Sequence, residues 1–406
     1  MRILFINDSL PYPPIAGDKI RVYNLIRRVA RHHEVSLAAL VGTNENAEAV
    51  EHMREFCFRV ETGIKRPRHR LKHLPGLLRY LMAGIPLEFS VRYSKKLATK
   101  IRELTSQVDF DIVQVEHSHM APYLSSLFPG KRYKRILSLH NIIFQQYGQI
   151  SRISVKTEGR LRSRLYSWQM SRWEPRCASQ FDLCVTVSEP DRRLLLAANP
   201  DLRVEVVPNG VDAHKYQPLA SEKFSRPSLL LIGSMSYAPC VDAAIYFCNQ
   251  ILPHIQRALG QVQVWIVGAN PVPKVRALAG GDVYVTGRVE DVVPYYQRCA
   301  ASVVPLRAGG GTRLKILEAM ALGRPVVSTA IGCQGLDVCN GEHLLIADSP
   351  EAFAAKTVQL IKEADLARRI VTNARELVVN HYDWDAIAGH LLQIYDELAG
   401  PCDASS

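Results

Sequence analysis

Short β-branched runs recur along this chain, each separated from the next by room for one amphipathic segment. No other feature constrains the fold as strongly. Strand candidates are Arg2–Asn7, Val35–Val41, Ile112–Val115, Arg135–His140, Leu183–Val187 and Val204–Val207. After residue 225 the pattern restarts with Leu229–Gly233, Val262–Gly268, Val283–Thr286, Ala301–Pro305, Pro325–Thr329 and Leu344–Ala347. Strands that alternate with helices and read as continuous apolar runs belong in parallel sheets covered on both faces. Two such series predict an α/β protein of two doubly wound domains, each binding ligands outside the carboxyl ends of its strands. A chain of 406 residues suits two to three domains.

The first boundary is expected near Val206-Val-Pro-Asn-Gly-Val-Asp212, where Pro208 and the Asn209-Gly210 pair favour a turn. The polar stretch LASEKFSRPS follows as a linker or loop. This gives residues 1–207 as a first domain, 208–380 as a second and 381–400 as a terminal helix. No solenoid-length repeat or low-complexity segment is present.

Composition excludes several classes. Apolar residues are 47% of the chain and charged residues 22%, which removes a disordered chain. No apolar run approaches about 18 residues, so a membrane-spanning helix is not expected. The apolar run at the N-terminus is too short for a signal peptide, and the expected location is the cytoplasm. Nine cysteines without a CxxC pair, among them Cys184, Cys248 and Cys299 in apolar segments, read as reduced core thiols.

The net charge of +11 is unevenly divided. Residues 1–210 carry 33 Lys and Arg against 20 Asp and Glu, a net +13, and the remainder of the chain is at −2. The excess concentrates in Lys65–Arg102 and Arg152–Arg176, where basic residues are interleaved with Leu, Tyr, Met and Trp. That mixture suits an anionic membrane surface, which is worth on the order of 1 kcal/mol per basic residue near the lipid. Two solvated helix faces would read the same way. Nucleic acid is not expected, because no recognition-helix, RRM or zinc-finger pattern accompanies the charge.

The segment richest in chemistry is Val304-Pro-Leu-Arg-Ala-Gly-Gly-Gly-Thr-Arg-Leu-Lys-Ile-Leu-Glu-Ala-Met-Ala-Leu-Gly-Arg-Pro-Val-Val-Ser-Thr329. Gly309, Gly310 and Gly311 let the backbone turn sharply and approach a ligand closely. Thr312 is placed to cap a helix running to about Leu322. A glycine turn that feeds a helix N-terminus offers backbone N–H groups and the positive end of the helix dipole to a phosphate. Arg313 and Lys315 add charge, and Glu318 shares a face with Lys315. A carboxylate beside a phosphate site accepts hydroxyls such as a ribose diol. The set fits a nucleoside diphosphate better than an ordinary βαβ turn carrying a surface ion pair.

On these residues the segment resembles the donor-binding signature of the retaining GT-B glycosyltransferases of family 4. That signature carries two glutamates eight positions apart before Ala-Met-Ala. Glu318 matches the second, and Gly310 stands where the first belongs. The resemblance extends over the chain. Asp8-Ser-Leu-Pro-Tyr-Pro-Pro-Ile-Ala-Gly-Asp-Lys-Ile-Arg21 resembles the family's first glycine loop, with Gly17 the one matching glycine. Val187-Ser188-Glu-Pro-Asp191 resembles the strand-to-helix turn before the hinge, with Ser188 and Asp191 forming a capping box, and Pro-Asn209-Gly210-Val-Asp resembles the hinge itself. Gly233-Ser234-Met-Ser-Tyr-Ala-Pro239, Gly268-Ala-Asn-Pro271 and Thr286-Gly-Arg288-Val289-Glu-Asp291 resemble successive donor loops. Gly-Asp-Lys-x-Arg, Gly-Ser-Met-x-Tyr-x-Pro and Gly-Gly-Gly-Thr-Arg-x-Lys together look most like sugar transferases of bacterial exopolysaccharide and exosortase systems.

The resemblance implies a GT-B enzyme with an interdomain cleft. It implies a nucleoside-diphosphate sugar as donor, retention of the anomeric configuration, and a glycan or lipid-linked acceptor. No cofactor or bound metal is implied, and no protein nucleophile. It also implies that the terminal helix, near Trp384 to Leu398, crosses back to the first domain. Many relatives hold the diphosphate with an Arg and a Lys after the first strand of the second domain. The loop Gly233–Tyr237 has neither. Arg313 and Lys315 are therefore expected to replace them, with Arg288 as a further basic residue and the Gly310 and Gly311 N–H groups covering for the missing glutamate. His140 resembles the histidine that faces the transferred sugar, although a capping or core role reads equally well. His117 and His119 look like a metal pair without an acidic or thiol partner in sequence, and are read as acceptor-side residues.

Three other classes compete. An NAD-dependent oxidoreductase would need G-x-G-x-x-G after the first strand, where Pro11, Pro13 and Pro14 stand instead. A sugar-nucleotide epimerase of the same architecture would share the nucleotide site. A non-catalytic sugar-nucleotide binder would fit the loss of a glutamate at Gly310.

Overall fold

The computed structural model describes residues 1–42, 47–65, 86, 89, 92–154, 156–219 and 226–400. The chain forms two compact units. Unit 1 comprises Met1–Phe144, Leu165–Pro208 and Ile387–Ser406, and unit 2 comprises Gln145–Arg164 and Asn209–Ala386.

Unit 1 is built on seven parallel strands: β1 (Arg2–Asn7), β2 (Glu34–Val41), β3 (Arg59–Ile64), β4 (Ile112–Glu116), β5 (Lys134–Leu139), β6 (Leu183–Thr186) and β7 (Val204–Val206). Their order is β3-β2-β1-β4-β5-β6-β7. The centre of β1 explains its own sequence: Ile3, Leu4, Phe5 and Ile6 are all fully buried, because helices cover both sheet faces. The order reverses direction between β1 and β4, so the loops after those two strands diverge and leave a crevice.

Unit 2 repeats the plan with six strands: β8 (Ser228–Ile232), β9 (Gln263–Val267), β10 (Val283–Gly287), β11 (Ala301–Val304), β12 (Val326–Ser328) and β13 (Leu345–Ile346). Their order is β10-β9-β8-β11-β12-β13. The reversal here falls between β8 and β11, between the Gly233 loop and the Gly309–Gly311 turn.

Every strand expected from sequence is present, with its ends within one residue. One strand was not expected. β3 (RVETGI) lies at a sheet edge, and its charged residues hide the apolar signal. The helix after the glycine run is Leu314–Ala321, and its N-cap is Arg313 rather than Thr312. Positive φ at Gly309 (138°) and Gly311 (68°) prolongs the turn past Thr312. The terminal helix spans Trp384–Ala399. Ser188 caps the helix Glu189–Ala198 by accepting from the Asp191 N–H. The reciprocal arm differs from a capping box, because Asp191 Oδ2 accepts from the Ser188 hydroxyl at 2.6 Å. The described cysteines are free thiols, buried or half-buried except for the exposed Cys339. Most of the basic stretch that begins at Lys65 lies outside the described residues. Among those described, no helix is long and apolar enough to cross a membrane.

Candidate active site

In unit 2 the sequence-predicted residues gather around the reversal between β8 and β11. Lys315, on the first turn of the helix Leu314–Ala321, reaches across it. Its Nζ donates to the Ile232 carbonyl at the end of β8 and lies 3.9 Å from Cys240 Sγ. A Cβ at position 233 would come within 2.9 Å of that Nζ, so Gly233 leaves the space the ammonium occupies. The loop after β8 thus acquires a cation from the helix after β11.

Arg313 behaves differently. Its guanidinium folds over the glycine turn and donates to the Gly310 carbonyl and, at 3.0 Å, to the Gly311 carbonyl. It also packs against Gly309, where an added Cβ would meet Nη2 at 2.7 Å. The turn is thereby covered by its own arginine. A phosphate entering here would exchange carbonyl acceptors for anionic oxygens, which are stronger partners for a guanidinium. Thr312 Oγ1 is buried and, among the described residues, has no partner.

Glu318 is half-buried one turn further on. Burial raises its carboxyl pKa, with Lys315 and the Tyr296 hydroxyl acting in the opposite sense. The Tyr296 hydroxyl lies 3.5 Å from Glu318 Oε2 and donates to the Lys315 carbonyl at 3.0 Å. One tyrosine hydroxyl thus links the Glu318 carboxyl to the main chain of Lys315.

Two glutamines that sequence reasoning missed also touch these loops. The Gly309 N–H donates to Gln149 Oε1 at 2.7 Å, and Gln146 Nε2 donates to the Tyr237 hydroxyl at 2.7 Å. Both lie on the helix Ile143–Ile153, distant in sequence and without any motif. The Ser234 hydroxyl lies 3.3 Å from that of Ser236. Gly268 makes a close backbone approach to Gly233: a Cβ there would fall 1.7 Å from the Gly233 carbonyl oxygen. Arg288 is exposed, after the edge strand β10, while Val289 packs on the core around Tyr296 and Leu317.

In unit 1 the loops after β1, β4 and β5 converge. Asp8 Oδ2 accepts from His119 Nε2 at 3.0 Å and lies 3.5 Å from Lys65 and 3.4 Å from Arg92. Burial alone would raise its pKa; the hydrogen bond from His119 and the charge of Lys65 hold it well below the usual carboxylate range. Burial pushes His117 and His119 down, so both are neutral at neutral pH. His117 takes a φ of 71°, rare for a residue with a side chain, and its ring lies 3.9 Å from that of His140. The two histidines do have acidic neighbours, contrary to the sequence reading. Ligand atoms of Asp8, Asp18 and His117 fall within 4.8 Å of one another. The signal was hidden because Asp8 and His117 are brought together only by the β1–β4 pairing.

His140 follows β5, and its Nε2 lies 2.6 Å from Glu116 Oε2. Nearby, Glu174 is buried and accepts from Ser118 Oγ and the Ile143 N–H, and burial pushes it up to about 8. Gly17 is exposed at the start of the helix Gly17–Val29. Asn209 and Gly210 are buried at the start of the long segment of unit 2.

Two doubly wound parallel units, with functional loops at the strand carboxyl ends, define the GT-B fold. Solved structures share it. Sucrose-phosphate synthase from Thermosynechococcus elongatus superposes with a TM-score of 0.72 at 17% identity, covering 98% of this chain and 99% of that one. Anabaena HepE in complex with UDP-glucose superposes at 0.67 and 16% identity, over 97% and 99%. Residues 17–215 match the family model described as Glycosyltransferase Family 4, and residues 226–363 match that described as Glycosyl transferases group 1. The chain belongs to this group of glycosyltransferases. Among curated relatives, phosphatidyl-myo-inositol mannosyltransferase of Mycobacterium leprae is 28% identical over 53% of this chain, and the match spans only 59% of that protein. A 44.6 kDa protein of the Klebsiella pneumoniae cps region is 19% identical over 94% of this chain and 96% of its own length.

Proposed function

We propose that the protein transfers a sugar from a nucleoside-diphosphate sugar to a glycan or lipid-linked acceptor of exopolysaccharide synthesis, with retention of configuration. The observation that carries this is the convergence of Lys315 and Arg313 on the Gly233 and Gly309–Gly311 loops at the strand-order reversal of unit 2. Relatives lend support: a structural neighbour was solved with UDP-glucose, and a sequence relative is named as a mannosyltransferase.

The chemistry needs little covalent help. The bond between the anomeric carbon and the diphosphate oxygen breaks, and negative charge grows on the diphosphate. Fixed cations and the N-terminus of the helix Leu314–Ala321 stabilise that charge. The acceptor hydroxyl attacks from the face being vacated and gives its proton to the departing phosphate oxygen. No protein nucleophile or metal takes part in this scheme. Glu318 holds the nucleoside ribose, and His140 meets the transferred sugar. A thermal-shift screen of UDP, GDP, ADP and their sugar conjugates tests the donor site, since a ligand of the folded state raises its melting temperature. Nucleotide release that depends on added acceptor is the expected result. Conversion of the donor sugar without acceptor would assign an epimerase instead.

The +13 of residues 1–210 supports a reading in which the acceptor is met at an anionic membrane surface. On the helix Thr157–Ala178, Leu165 and Trp168 are 55% and 54% exposed, and Arg172 lies 3.9 Å over the Trp168 ring. Exposed apolar side chains flanked by arginines suit a lipid headgroup boundary. Flotation with anionic vesicles, and not with neutral ones, is expected; equal failure to float with both would remove the membrane from the proposal.

A further inference from the structure

Four buried side chains of unit 1 form a continuous line. The Tyr395 hydroxyl, on the terminal helix, donates to Gln114 Oε1 at 2.6 Å. Gln114 Nε2 donates to Glu116 Oε1 at 2.6 Å. Glu116 Oε2 lies 2.6 Å from His140 Nε2. Tyr395 and Glu116 have no exposure, Gln114 has 1% and His140 has 5%.

Burial would raise the Glu116 pKa, yet the hydrogen bond from His140, the Arg21 guanidinium and the Gln114 amide keep it lowered. Glu116 is therefore a carboxylate, which can only accept. Every direction in the line then follows. Gln114 must turn its NH2 toward Glu116, which leaves its oxygen for the Tyr395 hydroxyl. His140 must carry a proton on Nε2. The remaining ring nitrogen, Nδ1, is buried and has no partner among the described residues. An orphaned buried nitrogen costs stability unless something else uses it.

We propose that Glu116 is a positioning residue for sugar transfer, fixing the Nε2–H form of His140 so that Nδ1 is the atom that meets the sugar. Gln114 and Tyr395 lock the carboxylate in place, so the terminal helix braces this histidine. The inference rests on the reading that His140 faces the transferred sugar. In a histidine, the bond made by one ring nitrogen decides which form the other presents. A glutamine at 116 could present either its oxygen or its NH2 to His140, and the form would no longer be fixed.

The test combines two readouts. The protein labelled with 15N-histidine reports which nitrogen of His140 carries the proton, without any ligand. The wild type is expected to show Nε2–H, and Glu116→Gln a mixture of forms. With the nucleoside-diphosphate sugar selected from the UDP, GDP and ADP panel, Glu116→Gln is expected to lower kcat by about 10- to 100-fold, by analogy with metal-binding histidines that lose the carboxylate orienting them. The donor KM should stay within about threefold, because the nucleotide groups lie in unit 2. Tyr395→Phe, which removes one hydroxyl, is expected to act in the same direction by a smaller factor, and it carries the test if Glu116→Gln does not fold. A wild-type protonation pattern or an unchanged kcat in both variants overturns the proposal. Wild-type transfer by His140→Ala would instead overturn the reading of His140 itself, which the ligand-free spectra do not depend on.

Discussion

Lys315→Ala is expected to weaken the binding of a nucleoside diphosphate by about 30-fold, and Arg313→Ala by about fivefold. Hydrogen bonds from a charged donor contribute about 1.5–3 kcal/mol, and about 1.4 kcal/mol is a factor of ten in affinity. The two residues differ because of what they hold beforehand. The Lys315 ammonium has three protons and donates one to the Ile232 carbonyl. It can take up a phosphate oxygen without releasing that carbonyl. The Arg313 guanidinium is bonded to the Gly310 and Gly311 carbonyls and must give up part of this set to engage a ligand. Its net gain is accordingly smaller. Both side chains flank one short turn, so their effects should not add simply. Calorimetry with UDP, GDP and ADP measures each constant. Wild-type affinity in both single variants and in the double variant would show that the glycine turn does not bind the diphosphate.

The fold was legible because its information is local. Each strand is a short apolar run, and Gly, Pro and Asn mark where the runs stop. The exception confirms the rule: β3 carries Arg59, Glu61 and Thr62 at a sheet edge, where one flank meets solvent and the apolar run is not required. The glycine turn and its cations were likewise visible, since Gly309 to Lys315 are neighbours in sequence. The start of the helix was misplaced by the length of that same turn. What could not be read were pairings between distant residues. His140 meets Glu116, Asp8 meets His119, and Gly309 meets Gln149 across separations of 24, 111 and 160 residues. Only the strand order brings the first two pairs together, and that order becomes known once the sheet is assembled. The Gly233 loop without a basic residue shows the same limit. Its cation arrives from Lys315, 83 positions beyond Ile232.

Gly268→Ala is expected to destabilise unit 2 by about 4 kcal/mol, a loss of the size reserved for mutations that force backbone apart. Sequence reading assigned this glycine to the donor, but its immediate task is packing. The Gly233 N–H donates to the Val267 carbonyl at 3.0 Å, and the Met235 N–H to the Ala269 carbonyl at 2.9 Å, so the loops after β8 and β9 run against each other. A Cβ at 268 would lie 1.7 Å from the Gly233 oxygen and 2.8 Å from its carbonyl carbon. Main chain cannot rotate away as a side chain does, so one loop must shift, and its ladder bonds shift with it. Gly260→Ala is the control. It also has positive φ, 76°, but nothing lies within 4 Å of the added carbon, so only the cost of a sparsely populated backbone conformation, about 1–3 kcal/mol, applies. Urea unfolding followed by tryptophan fluorescence, to which Trp265 on β9 contributes, measures the stability of each variant. A Gly268→Ala protein no less stable than Gly260→Ala would mean that the loops can separate without cost. If they cannot, the loss of nucleotide binding in Gly268→Ala follows from displacement of Gly233, whose missing side chain leaves room for Lys315.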